Sequence, residues 1–297
     1  MTPKSAPTIA EAAPIALAHA ANLSPSTRKR YSEAVGYYLK DHARVAPQNL
    51  TVFYPTTENV GAWIAKMQTR GLAPSTIRSY VAAMRTIFDV LRDLKVATGD
   101  NAFHVRNGRL PKIGHRVPKT ITREDFERIL KDAKDRELWH QPFLAVIGYA
   151  GLRCEEARTL KVADVSLDRR TITVIGKGNK ERVVRMTGKL VTILAAYIPR
   201  LPQLGSLLFP SPYDFEASVS KTAIRSLIDT TCRKLGITAA GDKVTPHTFR
   251  RLTASMIGEA GGKIEDMRKV LGHASIGTTQ KYFDPSDERT AGIMDKL

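Results

Sequence analysis

The residues with chemistry in them cluster toward the end of the chain. In Val270-Leu-Gly-His-Ala-Ser-Ile-Gly-Thr-Thr-Gln-Lys-Tyr-Phe-Asp-Pro285, His273 and Tyr282 stand nine residues apart. Between them lie Ala274, Ser275, Gly277, Thr278 and Thr279, a run too small and hydroxylated to bury the tyrosine. A phenol is a competent nucleophile toward a phosphodiester if its proton is removed and the phosphate charge is neutralised. The cations for that task stand upstream. His247-Thr-Phe-Arg250 puts a histidine and an arginine at i and i+3, one face if helical. Arg153 follows Ala150-Gly-Leu152, at the end of an almost wholly apolar run from Pro142, where an arginine needs an anion to face. Glu156, three residues on, could orient it. Lys177 lies in Gly176-Lys-Gly-Asn-Lys-Glu-Arg182, with Lys180 close behind.

Arg153, Lys177, His247-x-x-Arg250, Leu271-Gly-His273 and Tyr282, in this order and spacing, resemble the catalytic set of the tyrosine recombinases, the phage integrase family. The resemblance spans about 130 residues. It implies that Tyr282 attacks a DNA phosphate and leaves a 3′-phosphotyrosine and a free 5′-hydroxyl. In that scheme Arg153 and Arg250 bracket the non-bridging oxygens, and Lys177 protonates the leaving 5′-oxygen. His247 is the general base, His273 donates to the phosphate, and Glu156 supports Arg153. No metal or nucleotide cofactor is implied, because the bond energy stays in the phosphotyrosine. The partner strand's 5′-hydroxyl reverses the step through a Holliday junction. Two positions depart from the family's usual residues, Cys154 and the Phe283-Asp284 pair after the tyrosine. The start of the chain is too short for an added DNA-binding domain, which points to the simple two-domain type of Cre and the Xer recombinases.

Charge agrees with a nucleic-acid partner. Of the 297 residues, 46 are Lys or Arg and 29 are Asp or Glu, a net charge of +17. The excess is spread: residues 1–116 hold 16 basic and 7 acidic side chains, the remainder 30 and 22. Two cysteines, Cys154 and Cys232, give neither a disulfide framework nor a metal spacing, which suits a reducing cytoplasm. No apolar run reaches the 18 residues a membrane span needs.

The elements that must position the site follow from periodicity. Residues 1–22 read as a loose arm, because Glu11 and Pro14 interrupt the Ala-rich stretch and exclude a signal peptide. Three amphipathic helices are expected at about 25–43, 57–69 and 74–96, two of them opened by a proline after Ser24 or Ala73. On the third, Ile77, Tyr80, Val81, Met84, Ile87, Phe88 and Leu91 form one face. Arg78, Arg85 and Arg92 recur every seven residues beside it. This stripe, with Arg28, Lys29 and Arg30, is either a phosphate-contacting surface or a solvated flank. Residues 105–119 lose all period and carry Arg106, Arg109 and Lys112, a basic linker. Thr122 and Asp125 then open a helix. Two β-rich runs around Gly176–Lys180 form a hairpin with Lys177 at its tip, where a surface turn lysine is the plainer reading. Helices follow at about 190–198 and 223–235, separated by a loop over 202–221. Thr245-Pro246 starts the helix bearing His247 and Arg250, and Ile264–Leu271 runs into His273.

The expected fold is therefore mainly α. A helical, SAM-like core-binding bundle (23–104) precedes a mixed catalytic domain (120–297) with a small antiparallel sheet. The resemblance implies a C-shaped clamp on double-stranded DNA and a homotetramer on two recombination sites. The last helix after Tyr282 would then dock on a neighbour, fold back on its own domain, or stay frayed. Two other functions remain open from the residues: a type IB topoisomerase with the same chemistry and no synapsis, and a helix-turn-helix regulator with none. A cytoplasmic protein of bacterial, phage or mobile-element origin is expected.

Overall fold

A computed structural model describes residues 6–20, 23–106, 109–114, 119–176, 180–202 and 205–272. They divide into two compact units, Met1–His115 and Arg116–Leu297. The fold is mainly α, and among the described residues the small antiparallel sheets lie in the second unit. Among the described residues no helix is long and apolar enough to cross a membrane.

The first unit is a bundle of α1 (Ile9–His19), α2 (Pro25–Asp41), α3 (Thr57–Thr69) and α4 (Pro74–Asp93). Ser24 caps α2 by accepting from the Thr27 amide, with Pro25 in the first turn. Thr56 caps α3 in the same way through Asn59. On α4, Ile77, Val81, Met84, Ile87, Phe88 and Leu91 are buried at helical spacing, which makes it the central element. Tyr38, Trp63, Phe88 and Phe103 form an aromatic cluster at its centre.

The loose arm expected over 1–22 is corrected by α1, which packs on α4 and α2. Glu11, read as a break, is the third residue of a capping box. It accepts from the Thr8 amide at 2.9 Å while Thr8 accepts from its own. Pro14 inside the helix costs one hydrogen bond. Burial of Ile9, Ala12, Ala13, Ala16 and Leu17 outweighs that cost, since the alanines allow close approach to α4. The linker also begins later than expected, because Val105 and Leu110 pack against this unit's core.

The second unit opens with α5 (Arg123–Lys134), capped by Thr122 through the Asp125 amide. Helix α6 (His140–Tyr149), buried at every position but Gln141, and the short α7 (Cys154–Arg158) follow. A three-stranded antiparallel sheet comes next, in the order β1 (Val165–Ser166), β2 (Thr171–Ile175), β3 (Glu181–Arg185). Ile172, Val174 and Val184 bury its inner face. The Gly176 amide donates to the Lys180 carbonyl at 2.8 Å and closes the neck of the β2–β3 hairpin. Helix α8 (Gly188–Tyr197) leads to a stretch read as loop. It contains a second hairpin, β4 (Pro210–Ser211) and β5 (Asp214–Ser218). Its strands are too short and exposed to show an apolar alternation. Helices α9 (Lys221–Leu235), α10 (Pro246–Glu259) and α11 (Ile264–Leu271) complete the described unit.

Candidate active site

Arg153 owes its position to the glycine two residues before it. Gly151 takes a left-handed backbone, φ +63°, and turns the chain out of the buried α6. A Cβ there would come within 2.7 Å of Leu271 Cδ2 and 3.0 Å of Thr253 Cγ2. Arg153 then caps α7 in extended conformation. Its amide donates to Glu156 Oε2 at 2.8 Å, and its Nη1 to Oε1 at 2.7 Å. Its Nη2 reaches the Gly272 carbonyl at 3.3 Å. The Arg153 side chain is 36% exposed, so its charge faces a solvent-accessible space.

Glu156 is buried. Burial alone would raise its pKa. The hydrogen bonds from Arg182, from the Arg153 amide and from the Arg153 side chain outweigh it and hold the carboxyl at about 2. It is therefore ionised throughout the physiological range. Its two oxygens accept from the Arg153 amide and side chain.

Arg250 lies inside α10, 3% exposed. Its Nη1 donates to the Gly151 carbonyl at 2.6 Å and its Nη2 to the Leu271 carbonyl. The packing of Phe249 on Phe126 of α5, and the Thr253 hydroxyl bond to the Gly148 carbonyl of α6 at 2.7 Å, fix α10 against both helices. Arg250 thus joins the C-terminal ends of α6 and α11. His247, one turn earlier, is exposed at the rim. Partial desolvation of its ring, then the charges of Arg250, Arg251 and Arg153, hold the imidazole below its usual pKa. A neutral imidazole beside two guanidiniums can take a proton.

Residues 153, 156, 247 and 250, far apart in sequence, are thereby brought to one place. Of the remaining candidates, Lys177, His273 and Tyr282 lie outside the described residues. Gly176, before Lys177, and Gly272, before His273, are both described, and both abut Arg182. Lys180 is exposed at the foot of β3.

Arg182 was not anticipated. Its Nη1 and Nη2 donate to the two Glu156 oxygens at 2.9 and 2.8 Å. A signal was present: in the run Glu181-Arg-Val-Val-Arg185, strand alternation puts Arg182 on the side of the buried Val184. An arginine on that side needs a buried acid.

In the first unit, Arg28, Lys29, Arg30, Arg85 and Arg92 are exposed, as are Arg106, Arg109 and Lys112. Arg30 donates to the Ser79 hydroxyl at 2.8 Å. Arg78 differs from its stripe, being partly buried, with its Nε donating to the Pro111 carbonyl at 2.9 Å.

The model of the phage integrase family matches residues 119–289. The tyrosine recombinase XerD of Listeria innocua is 26% identical over 270 residues, covering 88% of each chain. The tyrosine recombinase XerA of Pyrococcus furiosus is 28% identical over 232 residues, covering 77% of each. Among solved structures, the Tn1549 transposon integrase in complex with a circular intermediate DNA has the same fold. Its TM-score is 0.75 at 15% identity, covering 98% of this chain and 99% of that one.

Proposed function

Because the chain belongs to the phage integrase family and is a site-specific DNA recombinase, we propose that the cluster around Arg153 and Arg250 binds the scissile phosphate. Tyr282 is the nucleophile. Its oxygen attacks phosphorus, the bond to the 5′-oxygen breaks, and a 3′-phosphotyrosine forms. His247, neutral in its cationic surroundings, takes the phenolic proton. Arg153 and Arg250 offset the charge that accumulates on the non-bridging oxygens, the largest contribution in such a site. Lys177 supplies the proton to the leaving oxygen, and His273 donates to the phosphate.

One observation carries the reading. Arg153 and Arg250 donate to the successive carbonyls of Gly272 and Leu271, the last two residues before His273. The two cations and the root of the segment that bears Tyr282 are thus one assembly.

The partner is double-stranded DNA carrying a recombination site. The finer reading adds a homotetramer on two such sites in the cytoplasm. The first unit acts as the core-binding domain and the second as the catalytic domain. The mainly helical first unit, with exposed basic residues on α2 and α4, supports that division.

The test begins with covalent attachment, mapped on the host's DNA to recover the site. A nicked suicide substrate carrying that site traps the intermediate. Wild-type protein gives an adduct stable on a denaturing gel. Tyr282→Phe binds the same DNA and gives none. An undiminished adduct from the variant removes Tyr282 from its role.

A further inference from the structure

Arg182 has no place in the scheme above, yet it binds Glu156 and abuts Gly176 and Gly272, the residues before Lys177 and His273. Strand β3 pairs Arg182 with Val174 and Val184 with Ile172, so the arginine shares the inner face of the sheet. Its side chain is 14% exposed. Burying a guanidinium that far is costly unless an anion meets it. Glu156 does, with both oxygens, at 2.9 and 2.8 Å. The planar, bidentate geometry is one that a lysine cannot reproduce.

The same carboxylate holds Arg153 through its amide and its Nη1, at 2.8 and 2.7 Å. Two guanidiniums and one carboxylate leave one positive charge. Without Arg182, Glu156 would cancel Arg153 at the point where a phosphate needs a cation. With it, the pair formed by Glu156 and Arg182 is neutral and Arg153 keeps its charge for the ligand.

Arg182 also bears on the two segments that carry the remaining groups. A Cβ at Gly272 would lie 2.8 Å from Arg182 Cδ, 2.9 Å from Nε and 3.0 Å from Cζ. The arginine is therefore flat against the backbone that enters His273. A Cβ at Gly176 would lie 3.4 Å from Arg182 Nη1, so its other end abuts the residue before Lys177.

We propose that Arg182 is a positioning residue of the recombination site. It holds Glu156 and Arg153 in one arrangement, beside the hairpin neck before Lys177 and the turn before His273, and it keeps Arg153 electrostatically available. This rests on the reading of Arg153 as a phosphate ligand.

The experiment is a double-mutant cycle on the full-length protein. Adduct formation is timed for wild type, Arg182→Gln, Arg153→Ala and the double variant. Two suicide substrates are used, one with a normal scissile phosphate and one with a methylphosphonate there. The methylphosphonate lacks one anionic oxygen, so it asks less of Arg153. On the normal phosphate, Arg182→Gln slows adduct formation by about 10- to 100-fold, the usual effect of removing an outer-shell partner. Its single-site DNA affinity is unchanged. The loss shrinks on the methylphosphonate, and the double variant is no slower than Arg153→Ala alone. Additive losses, an equal loss on both substrates, or a wild-type rate overturn the proposal.

A purely structural role is excluded by the same data, since misfolding would slow both substrates alike. If Arg182→Gln does not fold, Arg182→Lys takes its place. It keeps the charge and loses the bidentate contact, and its smaller loss must shrink on the methylphosphonate in the same way. The two controls separate this proposal from the reading beneath it. No adduct from wild type, or a full rate from Arg153→Ala, ends the phosphate assignment and the role of Arg182 with it.

Discussion

The Nη2 of Arg153 donates to the carbonyl oxygen of Gly272 at 3.3 Å, across 119 residues of sequence. One residue back, the Leu271 carbonyl accepts from Arg250. Carbonyls at a helix C-terminus carry partial negative charge and suit guanidinium partners. The end of α11 is therefore fastened by the two cations assigned to the phosphate, and α11 leads directly into His273.

That fastening depends on the backbone of Gly272. It ends α11 in the left-handed region at φ +61° and presses on Arg182. Gly272→Ala meets both the backbone penalty, about 1–2 kcal/mol for an L-residue there, and a clash with Arg182. The variant should lose at least that much stability in denaturant unfolding of the second unit, and its adduct rate should fall further than its DNA affinity. Unchanged stability and rate would show that the turn tolerates a side chain.

Arginines of the first unit are expected to divide. Arg85 and Arg92 are exposed on α4, whereas Arg78 is tied to Pro111. Each phosphate contact contributes roughly 0.9 to the slope of log affinity against log salt. Removing Arg85 and Arg92 together should lower that slope by about twice this amount, with little change in melting temperature. Arg78→Ala should instead lower the melting temperature. A slope that does not respond to the Arg85/Arg92 pair returns those side chains to a solvated flank.

Legibility in the sequence followed physical contrast. Helix α4 could be read because its buried positions repeat against polar ones over five turns. Helix α1 could not, because alanines bury without looking strongly apolar and Pro14 suggests a break. The β4–β5 hairpin has no buried face to produce an alternation. Arg153, Glu156, His247 and Arg250 could be picked out by type and spacing, but spacing says nothing of which partner an arginine takes. The two carbonyls that hold Arg250 and the carboxylate that binds Arg182 are tertiary facts. Only the parity of Arg182 with Val184 hinted at that carboxylate.

Glu156 should make acid stability specific. Its folded pKa, about 2, is depressed from the ordinary 4.5. Its contribution is fully present above the unfolded value and is lost as pH falls toward the folded one. The shift is worth on the order of 3 kcal/mol. The stability advantage of wild type over Glu156→Gln should hold steady above pH 5 and shrink between about pH 4.5 and 2. Unfolding curves of both proteins across that range measure it. A constant difference would mean that the carboxylate gains nothing from its two arginines.

His247 offers the complementary test, at the rate rather than the stability. As a base it must be neutral, so cleavage should fall as the imidazole gains a proton. Partial burial, then Arg250, Arg251 and Arg153, depress its pKa from the ordinary 6.5. The acid limb of single-turnover cleavage should therefore lie below pH 6.5. Arg250 and Arg153 cannot be removed without damaging the site itself. Arg251 can, since its Nη1 donates only to the Lys119 carbonyl among the hydrogen bonds resolved for it. Arg251→Gln removes one of the charges that oppose protonation. The acid limb should move up in pH while the plateau rate stays close to wild type. A limb that does not move, or one that persists unchanged in His247→Gln, would assign the proton acceptor elsewhere.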